Sequence, residues 1–200
     1  MTDTMNISLN AFIRLYALDM PKQMAEISRR IHQTGNGYDF YKSLTLAIRA
    51  YIENKTRDEI DLILNSPVNP AESNLNRLAF ESFERKFGKK KSKMSLFEKR
   101  QRLFLADRRI SVTVSPTFTI ETASGFEVYH VWATQNPQVN KHMGGMACYI
   151  CKEAFRKSSS SNYDFKFFDS VGEKVFSTFY NNTSALVERT AQDIAHWADR

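Results

Sequence analysis

Apolar positions change their period near residue 109. Before it they recur every three or four residues, as one face of a helix requires; after it they alternate with small polar residues, as a strand requires. Ile7, Leu9, Phe12, Ile13, Tyr16 and Ala17 make a first helical stripe. Met24, Ile27 and Ile31 make a second behind Pro21, which suits a first helical turn because its missing N–H has no partner there anyway. Thr34-Gly35-Asn36-Gly37 reads as the stop of that helix, since glycine and asparagine accept the left-handed conformation of a helix end. Phe40, Leu44, Ala47, Ile48, Tyr51 and Ile52 form a third stripe. Thr56 and Glu59 then stand at capping-box spacing ahead of Ile60, Ile63 and Leu64. Asn69-Pro70 opens a helix whose face is Leu75, Leu78, Ala79, Phe83 and Phe87, and Gly88 closes it.

Residues 88–95 are charged and poor in apolar side chains, so they read as a link, with Ser95 and Glu98 spaced as a second capping box. Residues 110–115, 118–120, 126–134, 163–168 and 174–179 carry the β-branched and aromatic alternation of strands. Ala123-Ser124-Gly125 and Val171-Gly172-Glu173 supply turns. Residues 139–155 read as a helix interrupted by Gly144-Gly145, 158–162 as a flexible loop, and 181–184 as the cap of a last helix carrying Leu186, Val187, Ile194 and Trp197. The fold class that follows is α+β, with a helical N-terminal half followed by a small mixed β-sheet with flanking helices. Residues 1–94 are the helical region and 95–200 the α/β core with its C-terminal helix, read either as two units or as one continuous domain.

Composition narrows the setting. A chain of 200 residues can bury a core without disulfides or metal, and 42% hydrophobic with 25% charged residues argues against wholesale disorder. No apolar run reaches the roughly 18 residues of a membrane span, and residues 1–18 lack the pattern of a signal peptide. The expected location is the reducing cytoplasm, with Cys148 and Cys151 as free thiols.

Charge is concentrated. Of a net +6, residues 85–109 carry a local +9, eleven Lys and Arg against Glu98 and Asp107, leaving −3 for the rest. Arg85, Lys86, Lys89, Lys90, Lys91, Lys93, Lys99, Arg100 and Arg102 are the candidate nucleic-acid-binding residues, since such a cluster attracts phosphate by releasing counterions without reading sequence. Phe87, Phe97 and Phe104 are interleaved with them and are candidates to stack on bases. The alternative is a solvated linker whose phenylalanines face the core.

Ser115-Pro116-Thr117-Phe118-Thr119-Ile120, a turn, Phe126-Glu127-Val128-Tyr129-His130-Val131-Trp132, a helix and a further strand together resemble the core of the PD-(D/E)XK nuclease-like superfamily, which includes restriction endonucleases and RecB-type exonucleases. The resemblance spans about residues 110–170 and implies a restriction-endonuclease-like core. Working members place an aspartate after the proline and Glu-x-Lys on the next strand, so that carboxylates hold a divalent metal and the lysine positions water. Here Thr117 stands at the aspartate position and His130 and Trp132 at the acidic and lysine positions. The helical Gln-x-x-x-Tyr of RecB-type members is matched by Gly145 and Tyr149. The resemblance therefore implies an inactive relative, with no catalytic residue, no cofactor and no metal.

Other chemistry has weaker carriers. Glu121 and His130 fall on one face of neighbouring strands and offer a relocated site, with Glu127, Asp164 and Asp169 as further carboxylates. Cys148-x-x-Cys151 with His142 and His130 has zinc-ligand types, set against burial of both cysteines as small hydrophobes in a helix. Gly35-Asn36-Gly37 lacks the flanks of a phosphate loop, and His32 and His196 have no evident partner. Three functions follow: a nuclease-like protein without catalysis that binds DNA or RNA through the basic segment; a homodimeric or other protein–protein assembly module; and a metal-dependent nuclease with relocated carboxylates. None involves a membrane.

Overall fold

The computed structural model describes residues 4–32 and 40–199; the proposed stop at Thr34-Gly35-Asn36-Gly37 lies outside them. The chain opens not with a helix but with a strand, β1 (Met5–Ser8), which Ser8 converts into α1 (Leu9–Ala17) by accepting from the Ala11 amide. Four more helices follow: α2 (Met20–His32), α3 (Lys42–Ile52), α4 (Arg57–Asn65) and α5 (Pro70–Phe87). Thr56 and Glu59 form the reciprocal capping box in front of α4, and Asn69 caps α5 with Pro70 in its first turn. Gly88 does not end in a free link. Residues Gly88–Lys93 wind on as a 3₁₀ helix into β2 (Met94–Leu96). Ser95 accordingly caps nothing; its hydroxyl meets Thr119 Oγ1 at 2.6 Å, and Glu98 takes an ion pair from Arg49 at 2.5 Å.

The remaining elements are β3 (Gln101–Leu105), β4 (Ile110–Val114), β5 (Phe118–Thr122), β6 (Gly125–Trp132), α6 (Lys141–Phe155), β7 (Asp164–Asp169), β8 (Lys174–Phe176) and α7 (Thr183–Ala198). They complete two mixed sheets, so the fold is α+β. The five-stranded sheet runs β2-β5-β6-β7-β8, with β6 and β7 parallel across α6 and the other neighbours antiparallel. The three-stranded sheet runs β1-β4-β3, with β1 parallel to β4, so the N-terminal strand is built into the second half of the chain.

Two apolar clusters lie on opposite faces of the five-stranded sheet. One packs Leu44, Ile48, Phe80, Phe83 and Phe87 of α3 and α5 on Phe118, Tyr129 and Phe168. Phe80 takes the place predicted for Leu78, which is exposed. The other gathers α1, α6 and α7 between the two sheets. Within it α6 is buried on nearly every side, from Met143 to Cys148 and again at Ile150, Cys151 and Phe155, as an apolar helix inside a core must be. Its glycines are the means of approach: a Cβ at Gly144 would overlap the Phe176 ring, and one at Gly145 would lie 3.4 Å from the Phe179 backbone. In contrast, α2 buries only Ile27 and leaves Met24 and Ile31 exposed. No helix among the described residues is long and apolar enough to cross a membrane.

Candidate nucleic-acid interface

The four positions marked by the nuclease resemblance are occupied by packing. Thr117 sits at the entry to β5, its amide bonded to the Tyr129 carbonyl at 2.7 Å. Trp132 is fully buried, and its indole donates to the Thr134 carbonyl at 2.8 Å. Tyr149 is half-buried, its ring edge-on to Phe179. His130 is buried and stacks parallel to Phe167, with ring centroids 6.0 Å apart. Asn10 of α1 donates its amide to the Val131 carbonyl, and its Oδ1 lies 3.0 Å from His130 Nε2. Burial pushes this imidazole's pKa down to about 4, against a smaller opposing effect of the Ser115 backbone. The ring is a neutral clamp between α1 and β6.

The relocated pair of Glu121 and His130 does not assemble. Glu121 pairs with Phe126 and is exposed, four residues along β6 from His130, or about 13 Å. Asp169 is buried and caps its own turn by accepting from the Val171 amide at 3.1 Å. The cysteines do not form a zinc site. Cys148 Sγ donates to the Phe176 carbonyl, burial raises its thiol to about 12 and that of Cys151 well above its ordinary value, and His142 lies against Tyr180. Among the described residues no three His, Cys, Asp or Glu side chains converge as metal ligands.

The structure does bring together a group that strand-by-strand reading misses. Glu127 on β6 and Asp164 on β7 are register partners, and Lys166 Nζ ion-pairs with both, at 3.8 Å from Glu127 Oε1 and closer to Asp164. Tyr129 donates to Glu127 Oε2 at 2.7 Å; burial first, then that hydrogen bond, pushes its phenol pKa well up. The signal available in the sequence was the two-residue spacing of Asp164 and Lys166, but only the β6–β7 register adds Glu127.

In the basic segment, Lys86, Lys89, Lys90, Lys93, Arg100 and Arg102 are all exposed and none has an ion-pair partner among the described residues. The other three are engaged. Arg85 pairs with Glu173 at 2.5 Å, Lys91 lies over the Tyr51 ring at 4.2 Å, and Lys99 donates to Ser159 and Ser160 at 2.9 Å each. The loop 158–162, expected to be flexible, is therefore an anchor for Lys99, with Ser160 fully buried. The 3₁₀ helix displays Lys89, Lys90 and Lys93, Arg100 immediately precedes β3, and Arg102 lies on it. Lys93 and Lys99 are six residues apart, so their Cα atoms lie within about 20 Å.

Two of the three candidate stacking rings are lost to the core. Phe87 (2% exposed) and Phe97 (8%) are buried in opposite clusters, because α5 turns one inward and the start of the β2–β3 connection turns the other. Phe104 is 41% exposed. It projects from β3 on the same face as Arg102, and Arg100, Gln101, Arg102 and Phe104 line a shallow open pocket of about 440 Å³. In comparisons with known proteins, no family model matches the chain and no curated protein sequence matches it.

Proposed function

We propose that the chain is a non-enzymatic nucleic-acid-binding protein, a nuclease-like core whose catalytic positions have been given over to packing and whose basic segment contacts the phosphate backbone. The observation that carries this reading is the set of six exposed cations between Lys86 and Arg102 that have no ion-pair partner among the described residues. Cations already paired with carboxylates exchange one partner for another on binding; unpaired ones release only counterions. The antiparallel hairpin β5–β6, the helix α6 and the parallel strand β7 are in the order the resemblance implies, and Thr117, His130, Trp132 and Tyr149 offer no metal ligation beyond one buried neutral imidazole. The test is equilibrium anisotropy with labelled DNA and RNA at low and physiological salt. Binding that weakens steeply with salt, and is lost on changing Lys86, Lys89, Lys90 and Lys93 to Gln, supports the reading. Absence of binding at low salt removes it and directs attention to protein partners, for which α2 has an exposed stripe of Met20, Met24 and Ile31.

A second reading rests on Glu127, Asp164 and Lys166, two carboxylates and an ammonium on adjacent strands. These are the residue types of metal-assisted phosphodiester hydrolysis, in a place other than the one the resemblance marks. Hydrolysis dependent on magnesium or manganese, abolished by Asp164→Asn, would establish an enzyme; its absence under both metals leaves the triad as an ion-paired clamp between strands.

A further inference from the structure

The three-stranded sheet packs one face into the core, and its other face carries Asn6, Ser8, Arg102 and Phe104 at exposed positions. Met5, Ile7, Leu103, Leu105, Ile110, Val112 and Val114 point inward. The register places the alternate residues outward in two rows, Asn6–Ser111–Phe104 and Ser8–Thr113–Arg102. Apart from Phe104, these side chains are small or polar, and Asn6, Ser8, Arg102 and Phe104 are exposed. Ser111 at the centre of this face is fully buried and Thr113 half-buried, so its exposed part is the two edges, Phe104 and Arg102 on β3 and Asn6 and Ser8 on β1.

The turn beyond β3 holds a strained backbone next to this ring. Ala106, Asp107 and Arg108 have φ of 49°, 52° and 68°, a run of left-handed residues without a glycine. It is held by three ties: the Ala106 amide to Glu188 of α7 at 3.0 Å, the Arg109 amide to the Ala106 carbonyl at 3.0 Å, and Thr4 Oγ1 to the Arg108 carbonyl at 2.9 Å. The Arg108 guanidinium lies 4.3 Å from the centroid of the Phe104 ring. Beside that ring on β4, the buried Ser111 hydroxyl has no hydrogen-bond partner among the described residues.

Resting on the nucleic-acid reading above, we infer that the outer face of β1-β4-β3 is a docking surface for single-stranded nucleic acid: one base stacks on Phe104 beside Arg108, and Arg100 and Arg102 take the adjoining phosphates. A duplex keeps its bases stacked on one another and offers no free π-face to an exposed phenylalanine, whereas an unpaired strand does. The cations match a polyanion, and the fixed ring and guanidinium match a planar base.

The experiment uses the full chain at low salt with labelled oligo(dT), oligo(rU) and a DNA duplex of equal length, against Phe104→Ala, Phe104→Trp and Arg102→Glu, each first checked for an unchanged melting transition. The inference predicts tighter binding of both single strands than of duplex, weakening of single-strand binding by roughly 5- to 100-fold in Phe104→Ala, recovery in Phe104→Trp, and loss in Arg102→Glu. Single-strand binding that Phe104→Ala leaves unchanged, or equal affinity for duplex, overturns this inference while leaving the wider nucleic-acid reading in place. No binding of any probe overturns both.

Discussion

The two sheets are built from similar strands and are covered differently. The five-stranded sheet carries helices on both faces: α3 to α5 lie on one, and α1 and α6 on the other. Every position on it that the nuclease resemblance marks is therefore a packing position, and its one histidine is held neutral. The three-stranded sheet packs one face into the core, and on its other face Arg102 and Phe104 are exposed within the densest cationic stretch of the chain. The exposed Arg102 and Phe104 thus belong to the smaller sheet. Stability belongs to the larger one.

The largest expected effect is on the covered sheet. Trp132→Ala should cost about 3–5 kcal/mol of unfolding free energy in denaturant titration, because a fully buried indole leaves a cavity and orphans the Thr134 carbonyl. Phe104→Ala should cost under about 1 kcal/mol in the same measurement; equal losses would erase the distinction between the sheets.

His130 gives the next effect, and its sign is fixed by linkage. The unfolded chain takes up a proton near the ordinary value of 6.5, while the folded protein keeps the ring neutral until about 4. Between those values the unfolded state binds more protons, so its contribution to stability is full above pH 6.5 and is lost as pH falls toward 4, about 3 kcal/mol in all. Urea midpoints measured across that window should fall, and His130→Gln should flatten the fall. A smaller effect is expected from Gly144→Ala, about 1–3 kcal/mol by overpacking against Phe176. Changing Lys86, Lys89, Lys90 and Lys93 together to Gln should alter stability least. It should nevertheless lower the slope of log affinity against log salt by up to about 3.

Much of the fold is legible in the sequence where the signal is local. Thr56 with Glu59 and Asn69-Pro70 mark helix starts by their own side-chain chemistry, and the β5–β6 hairpin alternates cleanly about its turn. The missed elements depend on distant partners. Met5–Ser8 merges into the helical stripe of α1 and becomes a strand only because β4, about a hundred residues later, pairs with it. β3 hides its alternation of Arg102, Leu103, Phe104 and Leu105 inside a charge cluster. For the same reason the three interleaved phenylalanines could not be told apart: Phe87 is turned inward by its place on α5, Phe97 by contacts with Phe155 and Phe165, and Phe104 outward by its register with Ser111. The Glu127–Lys166–Asp164 triad likewise exists only through the parallel register of β6 and β7.

The most direct measurement is photocrosslinking of the full chain to a 5-iodouridine-substituted single strand, with the attachment site mapped by mass spectrometry. Attachment within residues 99–109, centred on Phe104, is the predicted result. Attachment to peptides from the five-stranded sheet or α6, between residues 117 and 149, would contradict the assignment of binding to the three-stranded sheet.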